Sequence, residues 1–501
     1  MALQNNKQIS EFGDFQTPDY LAQQVTQTLR ALDIQPQSVI EPSCGQGAFI
    51  LAAVNFFANS SQFIGVDIKQ AHLDILQKKI ITQHVTVPIK TICASFFDVD
   101  WLGILHGLPE PILIIGNPPW VTSAELGRLN SSNLPIKSNF QKIKGLGALT
   151  GKSNFDISEW MLLEHLKWLQ GRRGIVAMLC KTAVARKVLF YAWKQDNFIQ
   201  EARIYKIDAL KYFDATVDAC LLIIKIGDIK PKTCYCFEHL SDQKPSETIN
   251  YYDGRVIADL VNYQKWQHLR GADQNYIWRS GIKHDCAKVM ELVKIGGAYQ
   301  NGNGVIVSLE DDYIYPLLKS SDVANGRVGD CRKYVLITQQ YIGEETNKIQ
   351  EQAPQTWRYL QENAAALEKR SSSVYKKCPE FSIFGVGNYT FYPWKVAISG
   401  FYKKLNFQVV PSINNRPVIF DDTVYFVPCS SEEEANFIAE LLNYSVARVF
   451  FNSMIFWSNK RPITIDLLKQ LSIQALAHEI GREAEYIYYT NKGRYWSFVK
   501  V

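Results

Sequence analysis

No cysteine pair in this sequence sits at zinc-finger spacing. Ten cysteines are scattered over 501 residues; the nearest two, Cys234 and Cys236, are separated by one residue, with no second pair to match. Neither a metal site nor a disulfide framework is expected, and the thiols read as free side chains in a reducing compartment. No apolar run reaches membrane-spanning length, and Met1 to Ser10 is polar, without the apolar stretch of a signal peptide. No membrane association is therefore expected, and a cytoplasmic location is. Charge of one sign is not in great excess: a net +5 permits a polyanionic partner without requiring one. Internal repeats and long low-complexity tracts are missing. So is the nuclease arrangement of an Asp followed by an acidic residue, any residue and Lys near a strand end, so modification and cleavage are not expected together in this chain.

What is present is a globular composition, 47% hydrophobic and 12% aromatic, in a chain long enough for two or three domains. Up to about residue 230, short apolar runs alternate with helical patterns. Ser38-Val39-Ile40, Phe63-Ile64-Gly65-Val66, Pro111 to Ile115, Gly174 to Leu179 and Ala219 to Ile224 suit strands buried on both faces, as in a parallel sheet. Asp19 to Leu32 and Asp156 to Leu169 read as helices, the second with Ile157, Trp160, Met161, Leu163, Leu166 and Leu169 around an inward face. This alternation predicts an open α/β fold binding ligands at the carboxyl ends of its strands. Beyond residue 240 the elements shorten, aromatics multiply and Gly/Asn turns appear. A boundary is placed near 228–250, giving domains 1–240 and 250–501, the second a mixed α/β region.

Val39 to Phe49 reads as a strand, a tight glycine turn at Gly45 and Gly47, and a helix. The next strand ends in Asp67, about twenty residues on, where a carboxylate can accept hydrogen bonds from the ribose hydroxyls of a nucleoside. A dinucleotide is the rival ligand. However, the third glycine of that fingerprint is missing, and Glu41-Pro42-Ser43 puts an acid ahead of the turn, where a pyrophosphate would be repelled. A cationic sulfonium suits these residues better, so S-adenosylmethionine is the expected cofactor, with Ser95 and Phe96 as candidates to contact its adenine and Ile68 as a further cofactor-binding candidate.

The apolar run to Gly116 then delivers Asn117-Pro118-Pro119-Trp120. The Asn carboxamide oxygen accepts an amino N–H. Proline has a fixed φ and no N–H, so the turn is rigid and the Pro118 carbonyl is left as a second acceptor. Two acceptors on one NH2 group localise its lone pair for attack on a sulfonium methyl, and the Trp120 ring offers a stacking face for a flat base.

On these motifs, residues about 12 to 228 resemble the adenine-N6 DNA methyltransferases in which the cofactor motifs precede the catalytic one. Phe15-Gln16-Thr17-Pro18 resembles that family's N-terminal cofactor-closing motif, which implicates Thr17. Gly151 to Ile157, with Asn154, resembles the segment closing over cofactor and target base. Phe213 to Cys220 resembles the last strand pair. Ser95 departs from the common Asp, and Trp120 from the commoner Tyr or Phe. The resemblance implies a Rossmann-like methyltransferase domain followed by a target recognition domain. Double-stranded DNA is the implied substrate, with a flipped adenine, and a separate cognate restriction endonuclease the implied partner. Lys137, Ser138 and Asn139, in the long stretch after the tetrapeptide, are candidate substrate contacts. So are Lys319, Arg327, Arg332, Lys333, Lys403, Lys404, Lys460 and Arg461 in the second half. The alternatives are an RNA adenine or protein glutamine N-methyltransferase using the same tetrapeptide, and a catalytically degenerate DNA-binding subunit.

Overall fold

The apolar runs become the strands of a ten-stranded sheet. The computed structural model describes residues 16–121, 156–196, 199–228, 231–370, 372, 374–375, 378–457, 459 and 461–497. The chain divides into two compact units, Met1–Ala258 and Asp259–Val501.

In the first unit the strands are β1 (Ser38–Glu41), β2 (Gln62–Asp67), β3 (Ile89–Cys93), β4 (Ile112–Gly116), β5 (Gly174–Lys181), β6 (Ile199–Ile207), β7 (Ala219–Ile226), β8 (Thr233–Phe237), β9 (Glu247–Tyr252) and β10 (Arg255–Ile257). Their order across the sheet is β3-β2-β1-β4-β5-β7-β6-β8-β9-β10. From β3 to β5 the pairing is parallel, and β7 runs antiparallel to both β5 and β6. Every residue of β1 and β4 is buried, which marks a sheet covered on both faces. The helices are α1 (Asp19–Ala31), α2 (Ala48–Phe56), α3 (Gln70–Thr82), α4 (Trp101–His106), α5 (Ile157–Trp168), α6 (Thr182–Lys194) and α7 (Ala209–Phe213). Leu21, Val25 and Leu29 of α1 and Phe49 of α2 share one core cluster with Leu113 and Ile115 of β4. Ile112 and Ile114 are equally buried, and strand alternation turns them to the opposite face.

The division falls later than the sequence boundary. Segment 233–257, expected to lead into the second region, instead forms β8 to β10: β8 pairs parallel with β6, and β9 and β10 continue the sheet. Connector-like Pro and Gly residues around 227–245 mark turns between strands here, not a domain edge.

The second unit holds a four-stranded sheet, in the order Arg279–Ser280, Val424–Cys429, Trp394–Ser399 and Gln408–Val410. It also holds a six-stranded sheet from Ile306–Val307 to Ile419–Phe420. The apolar segment starting at Val424 is thus an inner strand. After it come two helices, Glu432–Asn443 and Ser445–Met454, kept separate because Tyr444 between them is extended (φ −63°, ψ 150°). Asn443 ends the first by turning its side chain onto the Phe407 backbone, accepting from its N–H and donating to its carbonyl. Among the described residues, no helix is long and apolar enough to cross a membrane.

Candidate functional site

The residues singled out for chemistry leave the carboxyl ends of β1, β2, β3 and β4, and these ends open onto one cleft in the first unit. It encloses about 1080 Å3, solvent at its mouth included, and is lined by Thr17, Glu41, Ser43, Gly45, Asp67, Ile68, Phe96, Asn117 and Pro119, among others.

Asp67, the last residue of β2, anchors the glycine turn. Its Oδ2 accepts the Gly45 N–H at 2.8 Å, and its Oδ1 accepts the Lys69 N–H at 2.9 Å and lies 3.2 Å from His72 Nδ1. A carboxylate offers about four lone-pair sites, so with these three partners capacity remains on Oδ2 for a ribose hydroxyl. Glu41, the last residue of β1, is 2% exposed and accepts the Ile50 N–H at 2.9 Å, satisfying a donor in the first turn of α2. Burial pushes its carboxyl well above the usual range; the Ile50 bond opposes this, and the nearby Asp67 charge adds to it. Burial, Glu41 and Asp67 together push the Cys44 thiol up, so it stays protonated. At the mouth, Gln16 Oε1 accepts the Gln46 N–H at 3.1 Å, tying the segment before α1 to the glycine turn.

Phe96 serves both as core and as cleft wall. One side is braced by an aromatic cluster: Trp168 stacks at 5.5 Å between centroids, Trp101 lies at 5.3 Å, and the Trp101 Nε1–H donates to the Phe96 carbonyl. His165 is sealed in the same cluster, where burial lowers its pKa to about 3 and keeps it neutral. The other side faces the cleft.

Asn117 and Pro119 line this same cleft, so the turn after β4 faces the glycine turn and Asp67 across one space. Four of the proposed site residues are not among those that line it. Gly47 has φ +80°, and a Cβ there would come within 2.3 Å of Leu76 Cδ1; it is required by the turn and by packing against α3. The Ser95 hydroxyl accepts the Phe97 N–H of its own turn at 3.2 Å, while Ala94 and Phe97 reach the cleft. Pro118 is buried. Trp120, expected to offer a stacking face, is 5% exposed; its ring packs edge-on against Phe213 at 5.2 Å and its Nε1–H donates to the Leu179 carbonyl. The indole therefore anchors the turn in the core. Sequence reasoning missed Gln16, Lys69, His72, Phe97 and Met161 as lining residues. Gln16 and Phe97 adjoin residues that were chosen; His72 and Met161 lie on helices and carry no local signal.

Lys137, Ser138, Asn139, Asn154 and Lys460 lie outside the described residues. In the second unit several proposed phosphate contacts are already engaged internally. Lys319 and Lys333 both pair with the buried Glu291, and Arg327 pairs with Asp322. Arg461 lies 3.9 Å from Asp422 and over the Phe401 ring. Arg332, Lys403 and Lys404 are exposed and form no ion pair among the described residues.

The cleft fits S-adenosylmethionine. It offers the Asp67 carboxylate for a ribose, apolar Ile68 and Phe96 for a flat ring, and a glycine turn whose backbone a ligand can approach. Its basic residues include Lys79, which is paired with Asp19 at 3.6 Å.

No known family profile matches the chain. It is 46% identical over 473 residues to the type II methyltransferase M.NspV of Nostoc sp. (strain ATCC 29411 / PCC 7524), covering 94% of this chain and 98% of the relative. Among solved structures, it is similar in fold to the type IIL restriction–modification enzyme MmeI in complex with DNA. The TM-score is 0.57 at 12% identity, covering 92% of this chain and 64% of that one.

Proposed function

Since the chain belongs to the type II methyltransferases, we propose that it methylates the N6 amino group of adenine at specific sites in double-stranded DNA. The cofactor is S-adenosylmethionine, which supplies a methyl group made electrophilic by its sulfonium. The observation that carries this reading is that Asn117 and Pro119 line the same cleft as Asp67 and Gly45. An acceptor nitrogen held at the β4 turn is thereby held beside the donor pocket.

The chemical demand on the protein is small. The Asn117 carboxamide oxygen and the Pro118 carbonyl each accept one N–H of the target amino group, so its lone pair points at the donor methyl. The bound cofactor would supply the methyl and keep the carbon–sulfur electron pair, while Asn117 and Pro118 would hold the amino nitrogen that accepts the methyl and releases a proton. Holding nucleophile and electrophile in line supplies most of the acceleration. An adenine inside a duplex cannot reach such a pocket, so the target base is extruded. Ile68 and Phe96 serve the cofactor's adenine, and Asp67 its ribose. The second unit, as the target recognition region, supplies sequence contacts, for which the exposed Arg332, Lys403 and Lys404 are suited. A separate cognate restriction endonuclease is the implied partner.

Replacing Asn117 with Ala is expected to abolish transfer of labelled methyl to duplex DNA while cofactor affinity stays within about threefold, since the lost acceptor faces the target amine. Full activity of that variant would refute the assignment. Wild-type protein that labels RNA or protein in preference to DNA would move the substrate to the alternative reading.

A further inference from the structure

The exit from the catalytic turn is held by charges that the reaction does not use. Lys181, the last residue of β5, donates from Nζ to the Trp120 carbonyl at 2.9 Å and to Asp156 Oδ2 at 2.8 Å. Asp156 is the N-cap of α5: its Oδ1 accepts the Ser158 N–H at 3.1 Å and the Ser158 hydroxyl at 2.5 Å. One residue on, the Ile157 N–H donates to the Val121 carbonyl at 3.0 Å. Two consecutive carbonyls after Pro119 are thus fixed, one by an ammonium and the next by the first residue of α5. The pair is well sheltered, with the Asp156 side chain 8% exposed and that of Lys181 26%.

Neither charged group lines the cleft, yet both ends of what they join do. Asn117 and Pro119 line it, and so do Ile157 and Met161 of α5. A lysine at the end of a buried strand has no packing reason to be there: the seven residues before it, Gly174 to Cys180, are all buried. Its position is explained by the carbonyl and the carboxylate it bridges.

We propose that Lys181, locked by Asp156, is a positioning residue for methyl transfer: it holds the Trp120 carbonyl, and through it the Asn117-Pro118 acceptors, in register with the cofactor wall formed by α5. This rests on the assignment of the tetrapeptide as the methyl-acceptor site. Reacting groups are sensitive to such register, since a misplacement of about 1 Å can cost on the order of 100-fold in rate. Removing the ammonium takes away its hold on a turn whose prolines offer no N–H of their own.

The test is Lys181→Met, Lys181→Arg, Asp156→Asn and the Lys181→Met/Asp156→Asn double variant in the full chain. Each is assayed for single-turnover methyl transfer to DNA, for S-adenosylmethionine affinity by calorimetry and for melting temperature. Lys181→Met is expected to lower the transfer rate about 10–100-fold while cofactor affinity stays within about threefold, because no cofactor contact is lost. Arg, which keeps donors and charge, is expected to recover most of the rate. The double variant is expected to be about as slow as the single, because the two groups act as one unit. A wild-type rate for Lys181→Met, or a rate loss matched by loss of cofactor affinity, overturns the proposal. So does failure of Arg to recover the rate in a folded protein. Should Lys181→Met not fold, Asp156→Asn is read on the same scale, and a wild-type rate there overturns it equally. A wild-type protein that transfers no methyl to DNA while Asn117→Ala behaves identically would instead refute the functional reading.

Discussion

Lys395 is a lysine buried in the second unit without a carboxylate partner among the described residues. It lies in the strand Trp394–Ser399, 1% exposed, with its Nζ donating to the Tyr392 carbonyl at 2.7 Å and lying 5.9 Å from the Phe426 ring centre. Burial lowers its pKa from 10.5 to about 7, against a smaller opposing effect of Cys429. At about 1.4 kcal/mol per pH unit, that gap corresponds to about 5 kcal/mol disfavouring the charged form in the fold. Water penetration and relaxation reduce such figures, so about 1–4 kcal/mol is expected in practice. The unfolded chain keeps its proton up to about pH 10.5 and the folded chain sheds it near pH 7. Between these values the unfolded state binds more protons, and stability rises with pH. Below about pH 7 both states are charged and the full cost applies. Lys395→Met abolishes this dependence and fills the same volume with apolar atoms. Equilibrium urea unfolding of both proteins, followed by tryptophan fluorescence, should find the variant more stable at about pH 6.5. Its advantage should shrink by about 1–3 kcal/mol at about pH 9. An advantage that is the same at both pH values, or a less stable variant at the lower one, would show that the ammonium is solvated in the fold and refute the reasoning.

Two further predictions concern the cofactor turn. Asp67→Asn loses the charge and replaces one carboxylate oxygen with an NH2 donor, so only one of the Gly45 and Lys69 N–H groups keeps its acceptor. It should weaken S-adenosylmethionine binding by about 10–100-fold, the cost of trading charge-assisted hydrogen bonds for neutral ones; calorimetry giving less than a twofold change would remove Asp67 from the ribose site. Gly47→Ala combines a left-handed backbone with a Cβ 2.3 Å from Leu76 Cδ1, and should cost about 2–4 kcal/mol in unfolding free energy. The further change Leu76→Ala should relieve the steric part of that cost, and a double variant that gains nothing over Gly47→Ala would place the strain in the backbone alone.

What the sequence disclosed followed the range of each signal. Five buried strands announced themselves because a strand covered on both faces must be apolar throughout, and that is a local property. The glycine turn, Asp67 and Asn117 were visible for the same reason, since each sits at the end of such a run. The failures are all non-local. Gly47 reads as a ligand-approach glycine, but its missing Cβ makes room for Leu76 on another helix. Trp120 reads as a platform for a base, yet Phe213 and the Leu179 carbonyl lie far along the chain and hold its ring in the core. Lys319 and Lys333 look like phosphate contacts until Glu291 is seen between them. The later boundary has the same origin: whether β8 ends one domain or extends it depends on its pairing with β6, which no local pattern records.

The hydrogen bond between Val121 and Ile157 also bears on how the cleft keeps its shape. It ties the residue just after the catalytic turn to the first residue of α5, and Ile157 itself lines the cleft. Turn and helix are thereby coupled, so a substitution that displaces α5 is felt at the turn as well.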